Sequence, residues 1–192
     1  MNTLFKDIPD KIILGAGTQQ WDGWIPTHQH ELDLKDRSSF QKYFGEVKIS
    51  AFLCEHVWEH LTLSEGYKAA ELCYDYLAPG GRIRVAVPDA NFPDEHYQKL
   101  VQVGGPGPKD HPAVDHKIVY TFDSLKSVFE KAGFTVSLLE WWDPGGNFHY
   151  ENWDIADGPI YRSVKLDARN EAFRKIGTRP VFTSLIIDAI KG

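Results

Sequence analysis

Residues 49–88 read ISAFLCEHVWEHLTLSEGYKAAELCYDYLAPGGRIRVAVP, and this stretch decides the fold. Ile49 to Cys54 is apolar enough for a strand buried on both faces, as parallel sheets require. Thr62 followed by Glu65 is a capping box, in which each side chain satisfies a backbone N–H that the first helical turn leaves free. From there Leu63, Tyr67, Ala70, Tyr74 and Leu77 recur at helical spacing, and Pro79-Gly80-Gly81 ends the pattern. Arg82 to Pro88 then alternates, with Ile83, Val85 and Val87 on one side; Pro88, which has no N–H to donate to a ladder, closes the strand. Strand, helix, strand in this order predicts a parallel crossover unit.

Upstream, Lys11 to Leu14 is a short apolar run stopped by Gly15-Ala16-Gly17, which reads as a buried strand feeding a turn. Gly23 to Thr27 and Glu31 to Leu34 are expected as two further short strands. Downstream, Asp89 to Asp115 is rich in Pro, Gly and His and is expected to form no regular element. Thr121 caps an expected helix with Phe122, Leu125, Phe129 and Ala132 on one face and Gly133 at its end. Thr135 to Glu140 reads as a strand, Asp143 to Pro180 as a second irregular segment, and Val181 to Ile190 as a final strand that pairs hairpin-fashion with the one before it.

The 192 residues fit one domain, 1–192, large enough to bury a core without disulfides. Cys54 and Cys73 have neither metal spacing nor a disulfide framework and read as buried thiols. A net charge of -6 with no Lys/Arg run argues against a nucleic-acid partner, whose phosphates need neutralising. No apolar run approaches the roughly 20 residues that span a bilayer, and Asp7 and Asp10 stand where a signal peptide would be apolar, so no membrane partner and a cytoplasmic location are expected.

The order of these features resembles the class I S-adenosylmethionine-dependent methyltransferases, in particular small bacterial ones, over nearly the whole chain. Glu55-His56-Val57-Trp58-Glu59-His60-Leu61 is similar to that family's segment after strand four, and Pro79-Gly80-Gly81 stands where the family reverses into strand five. The resemblance implies an α/β, Rossmann-like doubly wound sheet, mostly parallel with an antiparallel last strand, in the order 3-2-1-4-5-7-6. The short distance from Gly15 to Glu55 implies that the region between strands two and three is reduced. It implies S-adenosylmethionine as cofactor, held by Gly15, Ala16, Gly17, Thr18, Glu55 and His56. The family's acidic residue for the ribose hydroxyls is replaced at or near its position by His28, with Asp33 or Glu31 as substitutes. Gln20 occupies the third position of a Gly-x-Gly-x-x-Gly fingerprint, so a dinucleotide is disfavoured.

Methyl transfer from a sulfonium is an in-line displacement that needs alignment and exclusion of water, with a base only for acceptors that lose a proton. His56, Asp89 and His116 are the candidate catalytic residues, with His149 also a candidate base; the methyl acceptor is expected to be a small molecule. Segments 91–115 and 143–180 are expected to form its lid. Two other readings compete: a methyltransferase-like module that binds without catalysis, and a zinc hydrolase in which His56 and His60 of His-x-x-Glu-His bind the metal and Glu59 is the base. The second requires the motif to lie on one helix, whereas Thr62 starts the helix only after it. No metal is therefore expected, and Asp110-His111 and Asp115-His116 lie in a segment without fixed ligand spacing.

Overall fold

The computed structural model describes residues 10–106 and 111–192. The apolar runs assemble one sheet from β1 (Lys11–Ile13), β2 (Ile25–Pro26), β3 (Ile49–Glu55), β4 (Leu77–Val87), β5 (Thr135–Trp142), β6 (Phe148–Tyr150) and β7 (Leu185–Ile190). Their spatial order is β2-β1-β3-β4-β7-β5-β6. The first four of these neighbours pair in parallel, and β7 runs antiparallel to both β4 and β5. The α/β, Rossmann-like architecture with an antiparallel last strand is thus the one observed.

Two departures lie at the sheet's edges. The strand expected at Glu31–Leu34 is a turn, because its donors are satisfied locally: Leu32 N donates to the His28 carbonyl, and Lys35 N to Asp33 Oδ1. At the other edge β6 adds a short hairpin strand to β5.

Between β2 and β3 runs α1 (Arg37–Phe44), started by the Asp36 carboxylate, which accepts from Ser38 N at 2.9 Å. The sequence pattern did not announce it. The capping box does open α2 (Leu63–Tyr76), with Thr62 N donating to Glu65 Oε2 and Glu65 N to Thr62 Oγ1. The helix gives way to β4 at Leu77, so Pro79-Gly80-Gly81 lies within that strand as a bulge, where the register against β3 slips. Residues 89–115 contain a helix after all, α3 (Glu95–Val101), capped by Asp94 and hidden in the sequence because Tyr97 is its one fully buried side chain. α4 (Phe122–Lys131) starts at Thr121 as expected, and α5 (Glu171–Ile176) is a short turn of helix in the second insertion. The last strand starts at Leu185 rather than Val181, since Val181 N and Phe182 N donate to the Asn170 side chain instead of a ladder.

The two faces of the sheet are covered differently. Helices α1, α2 and α4 pack on one, where Phe40, Phe44, Trp58 and Phe129 meet Ile12, Phe52 and Val85. The opposite face, with Ile13, Leu53 and Ala86, is covered by Trp153 and Ile160 of the irregular insertion. Arg84 of β4 anchors that cover: its guanidinium donates to both Asp188 carboxylate oxygens at 2.7 Å and to the carbonyls of Asp154 and Gly158. Cys54 and Cys73 are buried and free, and burial raises both thiol pKa values. Among the described residues no helix is long and apolar enough to cross a membrane.

Candidate active site

The chain leaves β1 for β2 on one side and returns to β3 on the other, so strand order reverses between β1 and β3. Open α/β sheets bind ligands beyond the carboxyl ends of strands at such a point. Gly15 and Gly17 turn the chain there with φ of 62° and 56°, a region that side chains disfavour. Gly15 is also packed tightly: a Cβ on it would lie 2.6 Å from Val57 Cγ2. A cavity of about 280 Å³ opens beside it, lined by Leu32, Asp33, Leu34, Val57, His60 and Leu61 among others. Asp33 and Asp115 bring carboxylates to it, whereas His28 does not line it. His28 is exposed, stacked on His30, and its backbone N donates to Glu31 Oε2. The Ala16 N–H, expected to face a cofactor, donates instead to the Thr27 carbonyl, and Thr18 is exposed.

Glu55, at the end of β3, is also spent within the chain. Its carboxylate is buried and accepts from Gln19 Nε2, Tyr161 N and Arg162 N at 2.8–2.9 Å. It thereby clamps the second insertion across the crevice, where Tyr161 packs on Trp21 with ring centroids 4.6 Å apart.

A second cavity, of about 450 Å³, lies beyond the ends of β3 and β4. His56 enters it from a strained backbone, φ 57°, the only positive value at a non-glycine among the described residues. Its Nε2 lies 2.9 Å from Ser184 Oγ and its Nδ1 3.0 Å from Glu59 Oε1. The second of these contacts is an ion pair with a carboxylate that is only 1% exposed and has no regular hydrogen bond at either oxygen. Burial by itself would raise the Glu59 pKa, but the His56 and His60 imidazoles outweigh it and hold the carboxyl below its ordinary range. The Glu59 carbonyl accepts from Lys117 N and Ile118 N, which brings His116 alongside. The His60 and His116 rings meet edge to face at 4.9 Å. His60 Nδ1 is 2.8 Å from Asp115 Oδ1, and His116 Nδ1 is 2.9 Å from the Val101 carbonyl. Burial lowers the pKa of His116. His60 lines both cavities and so stands where they meet.

No protein-family model matches this sequence, and no curated protein matches it. Solved structures do. A SAM-dependent methyltransferase from Archaeoglobus fulgidus matches over 97% of this chain and 88% of its own, with a TM-score of 0.50 at 14% identity. The complex of the Haloferax volcanii Trm112 methyltransferase activator with a protein named as a methyltransferase matches over 95% of this chain and 82% of that one, with a TM-score of 0.51 at 14% identity. The fold is that of a class I methyltransferase.

Within this methyltransferase fold the expected site residues separate into two groups. His56 and His116 share the larger cavity with Glu59 and His60. Asp89 does not join them: it is fully buried, and its two oxygens accept from Asn91 N and Trp142 N, both at 2.8 Å. Burial pushes its pKa up to about 6, against those two bonds. That geometry makes it a staple between the end of β4 and β5, with no face left for a substrate. His149 lines neither cavity and is 2.9 Å from Asp143 while stacked on Trp141. The His-x-x-Glu-His segment does not form the single helix a two-histidine zinc site needs, since a 3-10 turn begins only at Trp58. Tyr97, Arg162 and Ser184 line the larger cavity without having been singled out in the sequence. None carried a usable signal: Ser184 lay inside the strand expected from Val181, which in the structure starts only at Leu185.

Proposed function

We propose that the protein is an S-adenosylmethionine-dependent methyltransferase acting on a small-molecule acceptor. The observation that carries this reading is the pair of adjoining cavities at the strand-order reversal of a methyltransferase fold, one beside Gly15 and Asp33 and the other beside His56, meeting at His60. The residues of the smaller cavity suit a nucleoside: Asp33 offers a carboxylate to sugar hydroxyls, and Leu32, Leu34 and Leu61 offer apolar walls to a base. Bound there, S-adenosylmethionine supplies a methyl group on a sulfonium, open to in-line attack. In the larger cavity His56 is the group that takes a proton from a hydroxyl or amine acceptor, by way of the Ser184 hydroxyl at its Nε2, with Glu59 at its Nδ1 favouring the imidazolium that forms, and His116 shares its wall. Tyr161 packs over Trp21 at the crevice.

One observation favours a second reading, binding without catalysis. Glu55, which the family resemblance sets toward the cofactor, is fully occupied by Gln19 and by the backbone of residues 161–162.

Calorimetry with S-adenosylmethionine and its demethylated product tests the proposal. Micromolar binding that weakens about tenfold or more in Asp33→Ala and is unchanged in His28→Ala is expected, a lost charge-assisted hydrogen bond being worth about 1.5–3 kcal/mol. Absence of binding at millimolar concentration would refute it. Binding without turnover of any acceptor would favour the second reading.

A further inference from the structure

Glu59, His60 and His116 each offer one ligand atom within 4.8 Å of the others. We propose that these three residues bind a divalent transition-metal ion of the zinc class. This inference is independent of the cofactor reading, because it follows from the side chains of the larger cavity alone.

Three features support it. The first is the Glu59 carboxylate, almost wholly buried, which meets His56 Nδ1 at 3.0 Å but has no regular hydrogen bond at either oxygen. The surrounding imidazoles already favour its ionised form, and an ionised, buried carboxylate with oxygen lone pairs left over is suited to a cation. The second is the orientation of the histidines. In each ring Nδ1 is already engaged, by Asp115 in one and by the Val101 carbonyl in the other, which leaves Nε2 as the free nitrogen. A carboxylate or a backbone carbonyl behind a metal-binding histidine is the usual arrangement, since it fixes the tautomer and raises the basicity of the ligating nitrogen. Third, two imidazoles and one carboxylate are a donor set that suits zinc or ferrous iron and leaves coordination positions open, here toward a cavity of about 450 Å³.

Donors around a tetrahedral Zn2+ with bonds of about 2.1 Å stand ~3.4 Å apart, so binding draws the present cluster in by about an ångström. That movement is small for His60, which is partly exposed. The assignment differs from the sequence-level zinc alternative: Glu59 is a ligand rather than a base, and His116 replaces His56. His56 stands behind the Glu59 ligand, with Nδ1 3.0 Å from Glu59 Oε1 and Nε2 2.9 Å from Ser184 Oγ.

The probe is Zn2+ alone, added to chelator-treated full-length protein without any methyl donor. Calorimetry is expected to show one equivalent bound at micromolar affinity or tighter, with a rise in melting temperature. His60→Ala and His116→Ala should each weaken binding about a hundredfold or more, and Asp115→Asn, behind His60, by about tenfold. His28→Ala/His30→Ala, which removes the exposed histidine pair, should change nothing. Glu59→Gln guards against misfolding: it is isosteric, should melt cooperatively without metal, and should lose the Zn2+-induced rise. Binding retained in Glu59→Gln and His116→Ala, or no binding by the unaltered protein, would overturn the proposal.

Discussion

Glu55 and Glu59 lie four residues apart at the end of one strand, both buried, and they face opposite fates. Glu55 accepts three hydrogen bonds and fastens the second insertion over the sheet. Glu59 meets His56 Nδ1 at 3.0 Å and has no regular hydrogen bond. The insertion side of the molecule has spent its polar groups on structure: Arg84 on Asp188, Glu55 on the backbone of residues 161–162, and Glu140 on Trp153, Val164 and Thr183. The histidine side has kept its groups aimed into a cavity. Burial of a carboxylate therefore does not mark a site here; what sets Glu59 apart is that it is buried without a regular hydrogen bond beside two further imidazoles, His60 and His116.

Changes on the insertion side should cost stability, and the largest cost is expected at Arg84. Arg84→Met leaves Asp188 and two carbonyls unpaired beneath the insertion, a loss of about 3–5 kcal/mol by chemical denaturation. A loss below about 1 kcal/mol would show that the anchor is redundant.

Next comes a pH effect. Burial, working against its hydrogen bonds, pushes the Glu140 carboxyl up from 4.5 to about 7. A carboxyl whose pKa is higher folded than unfolded favours the fold when protonated, so its contribution is present below pH 4.5 and is lost as pH rises through about 7. The change corresponds to roughly 3 kcal/mol. Asp89, pushed up to about 6, acts in the same direction. Melting temperature should fall across this window, and Glu140→Gln should flatten the fall. An unchanged pH profile in that variant would remove Glu140 as its source.

The paired glutamates give the sharpest contrast. Glu55→Gln keeps one acceptor oxygen but turns an amide N–H toward a backbone donor, and should cost about 2 kcal/mol and admit proteolysis near residues 155–165. Glu59→Gln strands no backbone donor and should change metal-free stability by about 1 kcal/mol or less. Equal costs at the two positions would erase the distinction between the two sides.

Much of the frame was legible because it rests on local rules. The capping box and helical spacing bounded α2, and the apolar runs on either side of it gave β3 and the parallel crossover. The third expected strand failed because Asp33 and the His28 carbonyl offered its backbone local partners that an apolar count does not register. Helix α3 was missed for a related reason: one buried aromatic does not make a periodic stripe. In the site, His56, Glu59 and His60 were visible as a motif, but His116 reaches them through Lys117 N and Ile118 N bonding to the Glu59 carbonyl, which leaves no mark on side-chain pattern. Asp89 stood at the correct strand end, yet its backbone partners, Asn91 and Trp142, belong to tertiary structure.

We propose that the cavity beside Gly15 and Asp33 receives the cofactor, and a backbone amide NMR titration with S-adenosylhomocysteine tests this most directly. Saturable shifts are expected at Gly15, Asp33, Leu34 and Val57, spreading to His60, with Glu95–Val101 unmoved. Silence at millimolar concentration, or shifts confined to another surface, would contradict it.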